Sequence, residues 1–252
     1  MRNQEQYPDY IARFYDIIYA HLRTVDHDFF MKELLAAKGP VLEVGVGTGR
    51  FFIDALSQGA DIYGLDVNGT MLDQLRTKLD PAQHHRVFLQ DARSFHLDLR
   101  FDLIVAPFRV FSHLLEVKDQ LQALDAIFEH LKPGGRFIFD LFVPDLKILQ
   151  EGIRNETDFD GEYAPGKKLK RVVSAEPDLV SQLNNVAMTL TWDDDTGSKT
   201  STWNMQMRFF FRYELEHLIA RSKLNLENIY GDYEGNELNK ASKDFIVVCR
   251  RP

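Results

Sequence analysis

A glycine-rich turn with an acid just before it is the part of the sequence best suited to bind a ligand. Glu43 lies inside the apolar run 41–44, and the chain continues from residue 45 as Gly-Val-Gly-Thr-Gly into a helical pattern. Glycines let the backbone pass close to a ligand and bring N–H groups to the start of a helix. We therefore expect a ligand beside Gly45 and Gly47, although Arg50 occupies the third glycine position of the dinucleotide fingerprint G-x-G-x-x-G.

Two further acids follow the next two strand-like runs. Asp66 comes directly after the second run, and Asp91 comes just after the third. One carboxylate can accept both hydroxyls of a ribose, and another can accept the hydrogens of an exocyclic amine. Open α/β sheets bind ligands at the carboxyl ends of their strands. The acids and the glycine turn together predict a nucleoside site; the alternative is a tight turn followed by helix-capping acids.

The stretches that must position these residues alternate between strand-like and helical patterns. Short apolar runs bounded by turn residues indicate buried strands, and these runs are Val41–Val44, Asp61–Leu65, Arg86–Leu89, Asp102–Ala106 and Arg136–Leu141. One helix between them begins near Asn68 or Thr70, either of which can cap it, and ends at Pro81. Another spans residues 119–131. The repetition predicts an α/β fold with a doubly wound, mostly parallel sheet.

The pattern changes after Pro144. β-Branched and aromatic residues predict strands at Leu169–Ala175, Val180–Trp192 and Thr200–Arg212. We expect an antiparallel β insert at residues 152–211, packed on the main sheet because so thin a meander does not fold alone. A helix and two closing strands then complete a Rossmann-like sheet of seven strands, and they lie at Tyr213–Lys223, Leu226–Tyr230 and Phe245–Cys249.

The start of the chain has a helical pattern of its own. Its apolar residues share one face, and they are Ile11, Phe14, Tyr15, Ile18 and Leu22. The chain therefore divides into an N-terminal helical segment at residues 1–40, a ligand-binding domain formed by residues 41–151 and 212–252, and the insert.

Composition and charge exclude several classes of protein. The 252 residues carry a formal charge of −8, which disfavours binding of nucleic acid through bulk charge, although the basic cluster at residues 167–171 keeps RNA open. Cys249 is the one cysteine, so an intramolecular disulfide is impossible. No apolar run approaches the ~18 residues of a membrane span, and the polar start has no signal-peptide core. We expect a cytoplasmic protein with no membrane partner.

Several stretches together resemble the motifs of the class I S-adenosylmethionine-dependent methyltransferases. The similar stretches, in chain order, are residues 43–49 with the glycine turn, 64–68 around Asp66, 90–92 around Asp91, 101–107 and the Leu-Lys-Pro-Gly-Gly-Arg turn at 131–136. The members that look most similar are small-molecule methyltransferases with a β insert after the fifth strand. The resemblance implies S-adenosyl-L-methionine as cofactor, and it gives the N-terminal helical segment the role of a lid.

For the methionine end of the cofactor, the resemblance assigns roles to the first strand and its turn. Gly45 and Gly47 would pass beside the methionine part, Glu43 would orient the turn or the ammonium group, and Ala106 would offer a backbone carbonyl near that ammonium. The lid role over the cofactor falls to tyrosines of the N-terminal helix, and these are Tyr7, Tyr15 and Tyr19.

For the adenosine end, the resemblance points to residues after the second and third strands. Asp66 would hold the ribose hydroxyls, and Asp91 would accept the adenine N6 hydrogens while the Ala92 amide faces the ring. Val67 and Met71 would lie on either side of the adenine.

Methyl transfer from a sulfonium needs alignment and, for a protonated acceptor, a base, so neither a metal nor a protein nucleophile is required. Two residues after the fourth strand are candidates. His113 has a pKa range suited to a general base, and its alternative is a solvated or helix-capping histidine. Arg109 can bind a substrate carboxylate or phosphate, and its alternative is a surface salt bridge.

The sequence thus predicts methyl transfer to the nitrogen or oxygen of a small molecule. RNA or protein as the acceptor is one alternative, and a nicotinamide-dependent oxidoreductase is another, disfavoured by Arg50 at the fingerprint position. Exposed strands of the insert are also able to pair two protomers as a homodimer. No metal site is predicted, because His84 and His85 lack partners at ligand spacing.

Overall fold

The computed structural model describes residues 7–22 and 25–252. Residues 1–6 and 23–24, which belong to the predicted lid segment, lie outside this range, as do the side chains of His21 and Leu22.

The main sheet has seven strands in the order β10-β11-β5-β4-β1-β2-β3. Their bounds are β1 Val41–Val44, β2 Ile62–Asp66, β3 Val87–Leu89, β4 Phe101–Ala106, β5 Leu131–Phe142, β10 Asn225–Tyr230 and β11 Asp244–Arg250. Strands β1 to β5 pair in parallel, and β11 runs antiparallel to both β5 and β10. The central strands are buried on both faces, as continuous apolar runs predict. The doubly wound, mostly parallel sheet is confirmed.

Helices cover both faces of this sheet, and two separate apolar clusters fill the space between. The bounds are α1 Asp9–Leu22, α2 His27–Ala36, α3 Phe52–Ser57, α4 Gly69–Thr77, α5 Val117–His130, α6 Leu146–Glu151 and α7 Arg212–Ala220. The cap predicted for α4 is present, because the Asn68 side chain accepts a hydrogen bond from the Met71 amide at 2.9 Å. The 3-10 helix at Val110–His113 follows β4 and faces the carboxyl edge of the sheet.

The insert is an antiparallel sheet of four strands in sequential order. They are β6 Ile153–Ala164, β7 Lys167–Asp178, β8 Leu183–Asp194 and β9 Gly197–Arg208. Strand β6 was not predicted, because its Gly, Asp and Glu residues are unfavourable for strands. As an edge strand, β6 pairs with one neighbour only, is largely exposed and has three register irregularities, so its composition is tolerated. The prediction for the second insert strand began too early, since residues 179–182 form the turn before β8.

The apolar face of the insert packs against α1, whereas we expected it to pack on the main sheet. Ile11, Phe14 and Ile18 of α1 join a cluster that includes Leu190 and Trp203 of the insert. The helical periodicity of α1 places these residues on one face, so α1 completes the core that the thin meander lacks.

The opposite side of α1 lies on the glycine turn. Asp16 accepts a hydrogen bond from the Thr48 hydroxyl at 2.6 Å, and its other oxygen pairs with Lys78. Lys78 also donates to the Thr48 carbonyl at 2.9 Å. The helix is therefore held between the insert and the ligand-binding edge of the main sheet.

Candidate active site

A cavity of about 190 Å³ lies at the carboxyl edge of the main sheet. The structure brings all of the sequence-predicted binding residues to its wall, and these are Tyr15, Glu43, Gly45, Gly47, Asp66, Val67, Met71, Asp91, Ala92 and Ala106. They come from β1 and the glycine turn after it, from β2 and the residue after it, from β4, from the loop after β3, and from α4 and α1. Because parallel strands end at one edge, residues far apart in the chain meet there.

Asp66 is held by the backbone around it. Its two carboxylate oxygens accept the Gly47 and Asn68 amides, each at 2.8 Å. Burial raises the pKa of Asp66, and the hydrogen bonds from Asn68, Gly47 and Val67 oppose that shift. The acid thus fixes the glycine turn, and each oxygen keeps further lone-pair capacity for a hydroxyl donor.

The glycine turn leaves no room for a side chain at Gly45. Gly45 has φ +73°, and a Cβ atom there would lie 2.4 Å from a methyl of Val110. Glycine is therefore required by both conformation and space. The turn and the 3-10 helix after β4 are in direct contact across the cavity.

Glu43 is 2% exposed, and among the described residues its Oε2 atom has no hydrogen-bond partner. Burial raises the pKa of Glu43 well above its usual value; the charge of Arg50 opposes the shift, and that of Asp66 adds to it. A buried acceptor without a partner is costly, so a donor on a ligand would satisfy it. A cationic or N–H group of a ligand fits this position.

Asp91 lies at the other end of the cavity and is paired with Arg93. The Arg93 Nε atom lies 2.9 Å and 3.0 Å from the two oxygens of Asp91, and its guanidinium also reaches Asp119 at 3.3 Å. Burial raises the pKa of Asp91, but the hydrogen bonds and charge of Arg93 hold it below its usual value overall. Sequence reasoning missed Arg93, because an arginine two residues after an acid carries no distinctive signal.

Aromatic rings form the wall opposite the sheet edge. Tyr15 meets Tyr7 edge-on at 6.2 Å between ring centroids and Phe108 at 6.4 Å, and Tyr19 meets Phe108 at 5.0 Å. Tyr7 packs on Trp203 of the insert at 4.4 Å. Burial raises the pKa values of Tyr7 and Tyr15, so both hydroxyls keep their protons at neutral pH.

His113 lies at the end of the 3-10 helix and lines the cavity, 6.5 Å from the ring of Tyr7. Its ring has accessible surface toward the cavity, yet protein surrounds it, and this desolvation lowers the pKa of His113 to about 4. The imidazole is therefore neutral at pH 7. It can accept a hydrogen bond, but it is a weak base.

Arg109 is not brought to the cavity wall. Its guanidinium pairs with Asp244 at 3.2 Å and lies 5.3 Å from the ring of Phe142. Its backbone amide donates to Asp140 at 3.1 Å. The salt-bridge alternative to substrate binding is the arrangement that the structure has, although the partner acid is only 15% exposed.

Arg50 lines the cavity, and the sequence analysis treated it only as a mismatch to a fingerprint. It makes a bidentate pair with the fully buried Asp26, at 2.5 Å and 2.9 Å, and lies 5.3 Å from the ring of Phe108. A guanidinium directly after the glycine turn is suited to an anionic group of a ligand. Its position in the sequence was the signal that could have found it.

A second, more open cavity of about 770 Å³ lies on the outer face of the insert, beside α6. Its polar lining includes Ser174, Asn185 and Asn204, and Gln206 lines both cavities. Gln206 donates to Asn185 at 2.8 Å. Gln206 therefore lies between the two cavities.

Among the described residues, no cluster of three or more His, Cys, Asp or Glu side chains is arranged to hold a metal ion. Across the same residues, no helix is both long enough and apolar enough to cross a membrane.

The chain is similar in sequence to known methyltransferases. Residues 41–135 match the family model of the methyltransferase domain. The putative methyltransferase YqeM of Bacillus subtilis is 27% identical over 131 residues, which are 52% of this chain and 53% of that protein. A glycine/sarcosine N-methyltransferase of Aphanothece halophytica is 28% identical over 178 residues, 68% of this chain and 63% of that protein. The chain spans about half the length of the first relatives it matches.

Solved structures share the fold at low sequence identity. An S-adenosylmethionine-dependent methyltransferase from Clostridium acetobutylicum has a TM-score of 0.77 at 18% identity, over 96% of this chain and 98% of that chain. CalS10, an amino pentose methyltransferase from Micromonospora echinaspora, has a TM-score of 0.69 at 20% identity, over 94% and 96%.

Proposed function

We propose that this chain, whose residues 41–135 match the methyltransferase-domain family, is a class I S-adenosylmethionine-dependent methyltransferase that transfers a methyl group to a small molecule. The observation that carries the proposal is the meeting of the glycine turn, Glu43, Asp66 and Asp91 in one cavity at the strand ends. Glu43 Oε2, which is buried without a partner, supports the fit of a ligand with an ammonium group.

In this proposal the cofactor is held by residues that the sequence predicts, together with Arg50 and Arg93, which it did not predict. Asp66 binds the ribose hydroxyls, and Asp91, oriented by Arg93, accepts from the adenine amine. Glu43 faces the ammonium group, and Arg50 faces the carboxylate. When bound, S-adenosylmethionine would supply a methyl group attached to sulfur. The lone pair of the acceptor would form the new bond to the methyl carbon, and the sulfur would keep the electron pair of the bond that breaks. The protein's own contribution is alignment and exclusion of water by α1.

We infer further that the acceptor atom is an amine nitrogen. A hydroxyl acceptor needs a base, and the groups at the aromatic wall offer little basicity: desolvation lowers the pKa of His113, and burial raises the pKa values of Tyr7 and Tyr15, which keep their protons. An unprotonated amine needs none. The nitrogen becomes cationic as the bond forms, and the rings of Tyr7, Tyr15 and Phe108 stabilise such a charge. A relative named as a glycine/sarcosine N-methyltransferase supports this choice.

Calorimetry and an acceptor screen test the proposal. In calorimetry, we expect the protein to bind S-adenosylhomocysteine and not NADH. In the acceptor screen, S-adenosylmethionine is supplied with matched pairs of amines and alcohols, and we expect S-adenosylhomocysteine to form as the product. Glycine against glycolate and amino sugars against the parent sugars are suitable pairs, with an RNA pool and a peptide pool as further arms. Absence of S-adenosylhomocysteine binding by folded protein would contradict methyl transfer. Turnover of the alcohols alone would contradict the amine acceptor.

We also propose that two protomers associate through the insert, whose edge strands β6 and β9 each lack a second neighbour within the four-stranded sheet, and that the protein works in the cytoplasm. Sedimentation equilibrium tests the first point. A monomer at all concentrations would contradict it. Cell fractionation tests the second.

A further inference from the structure

The loop between β4 and the 3-10 helix, residues 107–109, has an unusual backbone. Phe108 and Arg109 have φ values of +61° and +63°. Residues other than glycine rarely adopt this left-handed region, and two in succession persist only where their surroundings hold them. The loop leads directly into the 3-10 helix that carries Val110, Phe111 and His113 to the cavity, and Phe108 itself lines that cavity.

Asp140 in β5 accepts a hydrogen bond from this loop. Its carboxylate is 0% exposed, accepts the backbone amide of Arg109 at 3.1 Å and accepts the hydroxyl of Tyr233 at 2.7 Å. Tyr233 packs on the rings of Phe29 and Phe30 of α2. The acid therefore joins the second left-handed residue to the sheet and, through Tyr233, to α2. The guanidinium of Arg109 adds a second attachment, to Asp244 in β11.

We propose that Asp140 is a positioning residue for the acceptor side of the site. By holding the left-handed backbone at Arg109, it keeps Phe108 against the tyrosines of α1 and keeps the 3-10 helix against the glycine turn. This explains why Arg109 is turned away from the cavity: its amide and guanidinium fix the loop. The proposal rests on the proposed function only for its effect on turnover, and its effect on the loop is independent of it.

Hydrogen–deuterium exchange of residues 107–113 in the free protein tests the attachment itself. We expect Asp140→Ala to speed exchange there roughly tenfold, because a buried amide loses its acceptor, while exchange at residues 101–106 is unchanged. Tyr233→Phe is the matched control, since it removes the bond to the other carboxylate oxygen and leaves the Arg109 amide paired. Equal exchange at 107–113 in Asp140→Ala and the parent would overturn the proposal.

A rescue experiment separates positioning from general stability. Glycine adopts the left-handed region without strain, so Arg109→Gly in the Asp140→Ala background is expected to restore most of the protection lost at residues 110–113. The amide of residue 109 itself stays unprotected, because its acceptor is still absent. A merely structural acid predicts the opposite, because Arg109→Gly also removes the ion pair to Asp244. Asp244→Asn alone measures that loss. A double variant no better protected than Asp140→Ala would overturn the proposal.

Affinity for S-adenosylhomocysteine and the rate of turnover are measured separately, to show which of the two depends on Asp140. We expect Asp140→Ala to bind S-adenosylhomocysteine within about threefold of the parent, since the cofactor contacts lie on other strands, and to lose about 10- to 100-fold in turnover of glycine or an amino sugar, because small misplacements are costly in methyl transfer. A parallel fall in both would overturn the proposal. If the parent binds no S-adenosylhomocysteine, the proposed function fails while the exchange result still stands.

Discussion

Replacing Asp66 by asparagine tests the link between the glycine turn and the ribose. In the free protein its two oxygens accept the Gly47 and Asn68 amides, each at 2.8 Å. The asparagine side chain has one oxygen and one NH2 group of the same size, so one of the two backbone amides must face another donor. The variant also removes the charge and one of the two acceptors proposed for the ribose hydroxyls.

The expected size of the effect follows from these bonds. A hydrogen bond to a charged group contributes about 1.5–3 kcal/mol, and the variant loses one such bond to the ribose and weakens the other. A total loss of about 3 kcal/mol corresponds to an S-adenosylhomocysteine Kd roughly 100-fold higher. The loss of a backbone partner should also lower the free energy of unfolding by about 1–3 kcal/mol.

Isothermal titration at pH 7.5 measures the Kd, and urea unfolding measures stability. Asp73→Asn, at an exposed acid on α4, is the matched control and should change neither quantity measurably. An Asp66→Asn protein that is folded and binds S-adenosylhomocysteine within about threefold of the parent would refute the proposed role.

Three further perturbations have outcomes that the structure determines. Glu43→Gln removes an acid whose pKa is raised in the folded state. The parent should therefore lose stability relative to the variant as pH rises above 4.5, the ordinary pKa of the acid. A difference in Tm between parent and variant that is constant from pH 4 to 8 would argue against this. Gly45→Ala adds a Cβ 2.4 Å from Val110 and should cost about 1–3 kcal/mol more in urea unfolding than Gly59→Ala, which has a similar φ but open space. Asp16→Ala should change stability by less than about 1 kcal/mol yet release S-adenosylhomocysteine several-fold faster in stopped flow, and an unchanged rate would contradict the lid role of α1.

The sequence predicted most of the main sheet because its strands are continuous apolar runs bounded by glycine, proline and acids. It also predicted that Glu43, Asp66 and Asp91 meet in the cavity, since they lie inside, at the end of and just after parallel strands. Strand β6 was not predicted from the sequence, because an exposed edge strand needs little β propensity. We expected the insert to pack on the main sheet, but it packs on α1. The sequence indicates that one face of the insert is apolar, but it does not indicate which element covers that face.

What the sequence determined alone is that Glu43, the glycine turn, Asp66 and Asp91 lie together at the carboxyl edge. A strand buried on both faces and the turn that ends it are local features, and parallel pairing then brings their ends together. What only tertiary structure decided is the state and direction of those side chains. The pairing of Asp91 with Arg93 and Asp119, the lowered pKa of His113 and the turning of Arg109 toward Asp244 all depend on neighbours distant in the chain, because burial and charge act through space rather than along the sequence.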